Sequence, residues 1–209
     1  MECNIAIIIP AAGFSKRMGA FKPLLPVGPE PAILRCVGVA AEAGVSEIIV
    51  VTGHQSQKIE DVLSKSSKNA RVVRNDNYQN GMFSSVCAGV AALPGGIDGF
   101  FMLPADCCAV SAATLTALMK EFSASDKMSV ISPVFSDGLR GHPPLIPSRF
   151  IDDLCSYNGD NGLKGFLQSL PNVVMETPDS GILMDMDTPE DYKKLLAYLG
   201  MTVQPETPG

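Results

Sequence analysis

A small-residue loop, Ala11-Ala12-Gly13, follows the apolar run 5–9 and is followed at once by Ser15, Lys16, Arg17 and Lys22. This pattern suits a polyphosphate. Backbone N–H groups approach an anion closely where no side chain intrudes. Arginine adds a planar fork for phosphate oxygens and lysine a point charge. Taken alone, the segment reads equally well as a tight strand–helix connection with solvated basic residues.

Two acidic loops give the segment a possible counterpart. Asp106 directly follows the apolar run 99–103, and Asp185 and Asp187 precede a helix-start signal at Thr188-Pro189. A carboxylate at the end of a strand can hold Mg²⁺, which favours one or two carboxylates plus phosphate oxygens. Either Asp185 or Asp187 could complete such a site with Asp106. Each acid reads as readily as a helix cap. The segment 75–85 is polar and ends at a helix start. Its free N–H groups, with Ser84 and Ser85, could read a base or ribose. His142 lies in a rigid Gly-His-Pro stretch beside Arg140, and suits substrate recognition or an ordinary surface loop.

Other chemistries lack their signatures. Neither GxxxxGK[ST] nor GxGxxG occurs, so the two common nucleotide fingerprints are absent. The two histidines, His54 and His142, are far apart, and the six cysteines show no CxxC, which argues against zinc. Cys36 and Cys87 read as small core residues, and Cys107-Cys108 as structural thiols. Free thiols are expected, because no export signal is evident.

The elements that must position these groups alternate between strand and helix. Strands are expected at 5–9, Glu47–Thr52, Arg71–Arg74, 99–103, 129–134, 145–146, 173–175 and 182–184. Helices are expected at 31–44, 55–65, 82–93, 111–122, 149–154, 162–170 and 188–199. Such alternation implies an α/β fold with a mainly parallel sheet covered on both faces. Ligands in such sheets bind beyond the carboxyl ends of the strands, so the loops carrying Arg17 and Asp106 should share one rim. The 209 residues suit one domain, residues 1–200, with 201–209 as a disordered tail. Hydrophobic residues are 46% and charged residues 18%, enough for a sizeable core. A net charge of −6 argues against nonspecific nucleic-acid binding, and no apolar run is long enough to span a membrane. A cytoplasmic location follows as the expectation.

Six motifs in order carry a family resemblance over residues 5–199. They are Ala11-Ala12-Gly13-x-Ser15-x-Arg17-Met18-Gly19 with Lys22, Asn75 with Gly81-Met82-x-Ser84-Ser85, and Leu103-Pro104-Ala105-Asp106. Arg140-Gly141-His142-Pro143, Gly159-Asp160-x-Gly162 and Asp185-x-Asp187-Thr188-Pro189 complete the set. The chain resembles the molybdenum-cofactor nucleotidyltransferases, most closely their cytidylyltransferase branch. The resemblance implies a Rossmann-like three-layer α/β/α sandwich of the nucleotide-diphospho-sugar transferase type. It implies a nucleotide site of Ala11, Ala12, Gly13, Ser15, Asn75, Gly81 and Ser85, with Arg17 and Lys22 on the triphosphate and acting catalytically. Asp106 matches a catalytic, Mg²⁺-binding acid and Asp187 its second metal ligand. His142 and Asp160 are assigned to the acceptor. Ala12 favours CTP, since the guanylyltransferase relatives resemble Ala-Gly-Gly here. The implied acceptor is molybdopterin cofactor, with a molybdoenzyme or its chaperone as a further partner. Alternatives are another phosphorylated acceptor, or a noncatalytic cofactor carrier. Two residues depart from the pattern: Pro10 stands for the usual leucine, and Cys107-Cys108 for a Gln-Pro-like pair. The second lies where the acceptor should enter.

Overall fold

Every residue of strand β1 (Ile5–Pro10) is buried, because it runs through the middle of a sheet with helices on both sides. In a computed structural model describing residues 3–136 and 138–202, six further strands join it. These are β4 (Glu47–Thr52), β5 (Arg71–Arg74), β6 (Gly99–Met102), β7 (Val130–Val134), β8 (Leu145–Pro147) and β9 (Asn172–Glu176). The order across the sheet is β5-β4-β1-β6-β8-β7-β9. All neighbours are parallel except β8, which runs antiparallel to both β6 and β7. A separate ribbon pairs β2 (Pro26–Val27) with β3 (Glu30–Pro31).

Side-chain alternation along β1 divides the core. Ile5, Ile7 and Ile9 pack against α1 (Ala32–Glu42), α2 (Ser56–Ser64), α4 (Ala112–Ala124) and α7 (Pro189–Tyr198). Ala6 and Ile8 pack on the other face against α3 (Met82–Ala91), α5 (Ile151–Ser156) and α6 (Gly162–Gln168). Each fully buried isoleucine contributes about 1.5–3 kcal/mol of burial free energy. The result is the three-layer α/β/α sandwich with a mostly parallel sheet that the alternation of elements predicts. Helix α3 lies close on the sheet, because a Cβ at Gly89 would stand 2.5 Å from Ile8 Cγ2.

Helix starts follow local chemistry. Ser111 caps α4 by accepting from the Thr114 N–H. Thr188 and Asp191 form a reciprocal capping box on α7, with Pro189 in its first turn. Helix α1 is followed by Gly44 at φ 80°.

One expected strand is wrong. Residues 182–184 form no strand; a 3₁₀ turn spans Ser180–Leu183, and only Met184 after it is extended. Asp179 accepts from the Gly181 N–H to start the turn, and the Ile182 carbonyl accepts from the His142 N–H rather than from a strand. Pro10 continues β1 rather than breaking it, paired with Val51. Met201 is tied back by a hydrogen bond from its N–H to the Leu196 carbonyl, so it is not a tail residue. The expected tail beyond Thr202 lies outside the described residues. Cys36 is buried as expected, whereas Cys87 is only half-buried. Among the described residues no helix is long and apolar enough to cross a membrane.

Candidate active site

The loop after β1 is sewn to the loop after β4. The Ala11 N–H donates to the Val51 carbonyl at 2.8 Å, and the His54 N–H to the Ala12 carbonyl at 3.1 Å. Ala11 and Ala12 are buried and Gly13 is exposed. Gly53 permits the seam, since a Cβ there would meet Tyr78 Cβ at 2.6 Å and Ala12 Cβ at 2.8 Å. Beyond Gly13 the chain turns back through Ser15 at φ 54°, whose Oγ accepts from the Lys22 N–H. That fold brings Arg17 and Lys22 to one side of a cleft of about 410 Å³.

The acids arrive beside these cations from two different elements. After β6 the chain keeps bonding to β1: the Leu103 N–H donates to the Ile8 carbonyl and the Ala105 N–H to the Pro10 carbonyl. The ladder therefore delivers Asp106 to the rim where the Ala11–Gly13 loop begins. Met186, fully buried, anchors the segment carrying Asp185 and Asp187. Since Ser111 and Thr188 cap the two helices, neither Asp106 nor Asp187 serves as the cap that each could have been.

Lys22 Nζ bridges the two acids, 2.5 Å from Asp106 Oδ2 and 2.9 Å from Asp187 Oδ1. Burial pulls the Lys22 ammonium down, but the Asp106 charge and hydrogen bonds to both acids outweigh it and hold its pKa above the ordinary value. The hydrogen bond from Lys22 holds the Asp187 carboxyl below the usual range, against burial and with help from Arg17, whose Nη2 lies 2.7 Å away. Asp185 is pushed the other way by burial and by the Asp187 and Asp106 charges. One cation thus sits between two converging carboxylates, and the donor set is all oxygen. Among the described residues no group of three or more His, Cys, Asp or Glu is arranged around a metal position. Two carboxylates with room for phosphate oxygens fit Mg²⁺ better than a metal needing a full protein cage.

The third wall is the start of α3. Gly81, at φ 97°, Met82 and Ser85 line the cleft. Asn75 is buried behind them; its Nδ2 donates to Ser84 Oγ and Ser85 Oγ, and its Oδ1 accepts from the Asn77 N–H. Asn75 thus holds the α3 start rather than lining the cleft itself.

His142 is not part of the cleft lining, but it stands near the acids. Burial lowers its pKa, opposed by the Asp106 and Asp185 charges and by a hydrogen bond to the Met102 backbone. Asp160 is exposed in the turn before α6, where its carbonyl accepts from the Tyr157 hydroxyl. It is not among the cleft-lining residues.

Sequence reasoning missed an aromatic group beside the loop. Phe14 and Tyr78 both line the cleft, and their ring centroids lie 5.0 Å (Phe14) and 6.3 Å (Tyr78) from His54. Tyr78 lies in a 3₁₀ turn, Tyr78–Asn80, that gave no periodic signal. The one available clue was Thr52-Gly53-His54, a glycine directly after a buried strand. The Cys107-Cys108 pair is buried. Burial, then the Asp106 charge, pushes the Cys107 thiol well up, and burial pushes Cys108 up to about 12. Both stay protonated near neutral pH, and the Cys108 carbonyl accepts from Arg35 Nε.

A Gly-containing anion loop, two cations and two converging acids at the strand ends define a nucleotide-handling transferase. The chain belongs to the MobA-like NTP transferase family, whose domain it matches over residues 7–173. It is 27% identical to the molybdenum cofactor cytidylyltransferase of Escherichia coli over 188 residues, 90% of this chain and 93% of that one. The bifunctional protein GlmU of Geotalea uraniireducens is 36% identical over 120 residues, 56% of this chain; the match spans only 26% of that longer protein. Among solved structures, a nucleotidyl transferase from Methanothermobacter superposes with a TM-score of 0.78 at 25% identity. That match covers 94% of this chain and 98% of the other.

Proposed function

We propose that the protein transfers CMP from CTP to the phosphate of molybdopterin cofactor and releases pyrophosphate. The observation that carries this reading is the convergence of Arg17, Lys22, Asp106 and Asp187 at the end of the Ala11–Gly13 loop. A phosphate oxygen of the acceptor attacks the α-phosphorus of CTP. The bond from that phosphorus to the β-phosphate bridging oxygen breaks, and its electron pair leaves with pyrophosphate. The attacking oxygen is already ionised near neutral pH, so no general base is required. Rate enhancement then rests on positioning and charge stabilisation.

The backbone of Ala11, Ala12 and Gly13 cradles the nucleotide, with Ser15 folding the basic segment over it. Arg17 and Lys22 offset charge on the departing pyrophosphate. Gly81 and Ser85 take the nucleoside side, held in place by Asn75. Asp106 and Asp187 would hold Mg²⁺, which when bound neutralises phosphate charge and draws acceptor and nucleotide together. His142, near the acids, is read as standing behind the acceptor side, with Asp160 at the outer margin. The near full-length similarity to a molybdenum cofactor cytidylyltransferase supports this acceptor, and Ala12 supports CTP. Six free cysteines suit a reducing cytoplasm, where a molybdoenzyme or its chaperone would receive the product.

One observation keeps a second acceptor in view: Cys107 and Cys108 stand beside Asp106, where the family pattern differs. Pyrophosphate release measured with each of four NTPs, with and without molybdopterin cofactor, tests the reading. Mg²⁺-dependent release from CTP only with the cofactor is expected. Release with a sugar or alcohol phosphate instead would reassign the acceptor. Cofactor binding with no release under any condition would make the protein a carrier.

A further inference from the structure

Strand β9 ends the sheet with nothing hydrogen-bonded to its outer edge among the described residues. It also exposes apolar side chains on both faces, although Met175 packs against the core. Val173 and Val174, adjacent and so on opposite faces, are 47% and 48% exposed. The far edge of the sheet is guarded differently. There β5 carries Arg71 and Arg74, ion-paired with Glu47 and Asp76. Charged residues blunt an edge strand, whereas a bare apolar one invites pairing.

The ladder fixes which groups are free. The Val130 N–H donates to the Pro171 carbonyl and the Thr177 N–H to the Val134 carbonyl. Odd-numbered residues along β9 therefore face β7, and the N–H and C=O groups of Asn172, Val174 and Glu176 point outward. These three positions are symmetric about Val174. An antiparallel copy of the same strand, related by a two-fold axis at Val174, sets every outward residue opposite an outward residue. Val174 meets Val174, and each Asn172 meets Glu176. The one acid of the strand then never faces itself, and the residue opposite it, Asn172, is uncharged, its amide donating to Ser132 of β7. On the opposite face Val173 meets Met175. A two-fold contact of this kind closes on itself.

We propose that β9 is a dimerisation edge and that its occupant is β9 of a second copy of this chain, joining two seven-stranded sheets into one. Strands β8 and β7 stand between β6 and β9, so the nucleotide cleft at the ends of β1 and β6 stays open in both copies.

Analytical ultracentrifugation across protein concentration tests this directly. Wild type should pass reversibly from one copy to two. Val174→Pro removes an outward N–H without touching the bonds to β7, and should sediment as one copy at every concentration. If that variant fails to fold by circular dichroism, Val174→Lys makes the same test through a charge on the axis. In a Cys155→Ser background, Val174→Cys should give a covalent pair on mild oxidation, while Cys155→Ser alone does not. A wild type that stays a single copy overturns the proposal, as does a dimer that persists in both the proline and lysine variants. Open-ended oligomers would mean that β9 pairs with β5 of the next copy, and would also overturn it.

Discussion

Lys22 and Asp106 are nearly buried, yet neither is a structural pair in the ordinary sense. On the proposed function, the ammonium held between two carboxylates is where a second cation and a triphosphate would meet. Replacing Asp106 by Asn keeps the shape and removes the charge. Turnover is expected to fall by about 10²- to 10³-fold, the scale of losing one preorganised electrostatic contact. The circular dichroism spectrum should not change. Normal turnover would move the metal role elsewhere. Arg17 differs, because its side chain is 74% exposed. Exposed ion pairs contribute about 0–1 kcal/mol, so Arg17→Ala should barely alter the melting temperature. Losing a charge-assisted phosphate contact should raise KM for the nucleotide about ten- to a hundredfold. Steady-state kinetics beside a thermal melt would separate the two effects. At this scale the convergence of Arg17, Lys22, Asp106 and Asp187 on one cleft was readable because loop residues at strand ends carry type and spacing together. His142 was harder: its backbone N–H is held by the Ile182 carbonyl of a 3₁₀ turn remote in sequence.

Asp179 shows how an element boundary is fixed by one carboxylate. Its oxygens accept from the Ser111 N–H and hydroxyl, the Thr114 hydroxyl, the Gly181 N–H and the Tyr198 hydroxyl. It therefore joins the start of α4, the Ser180–Leu183 turn and the end of α7. Burial pushes this carboxyl up, but the hydrogen bonds from Thr114, Ser111 and Gly181 win and hold it below the usual value. A lowered folded pKa adds stability that is fully present above the unfolded value of about 3.9 and is lost as pH falls through the folded one. Asp179→Asn should cost about 1–3 kcal/mol in denaturant unfolding at pH 7. That deficit should shrink as pH falls below about 4. A pH-independent deficit would show that the carboxylate charge is not what the donors hold. This one residue also explains the misread strand at 182–184. An apolar Ile-Leu-Met run has the composition of a strand, and nothing local reveals that a distant helix start holds Asp179 just before it and that the His142 loop claims the Ile182 carbonyl. The long elements were legible for the opposite reason. Strands β4 and β5 and helix α7 carry their own apolar pattern and caps, so tertiary contacts merely agree with them.

Across the whole molecule, alternation of strand and helix was enough to give three layers, but not the order of strands. The short β8 is the clearest case. Inserted antiparallel between β6 and β7, it has too few residues to show direction, and its place depends on pairing with partners remote in sequence. Helix α3 is pressed closely against the sheet at Gly89. Gly89→Ala should cost about 1–3 kcal/mol, the range for overpacking a core, because Ile8 and Val51 must yield to the new methyl. An unchanged melting temperature would mean that α3 can lift from the sheet without cost.

The seam between the Ala11–Gly13 loop and the loop after β4 has a consequence for the timing of order. The amide of Ala11 and that of His54 are already committed to partners in the free protein, so this half of the loop loses its freedom when the chain folds and not when a ligand arrives. The stretch from Ser15 to Gly19, exposed except at Met18 and the half-buried Ser15 and closed by few bonds, is the half with freedom still to lose. Amide exchange should show the difference: slow at Ala11 and His54 with or without nucleotide, and fast from Ser15 to Gly19 until nucleotide is added. Equal slowing in both halves would mean that the seam opens in solution. If the division holds, the affinity of this cleft is set less by how well it is built than by how much disorder its basic arm surrenders.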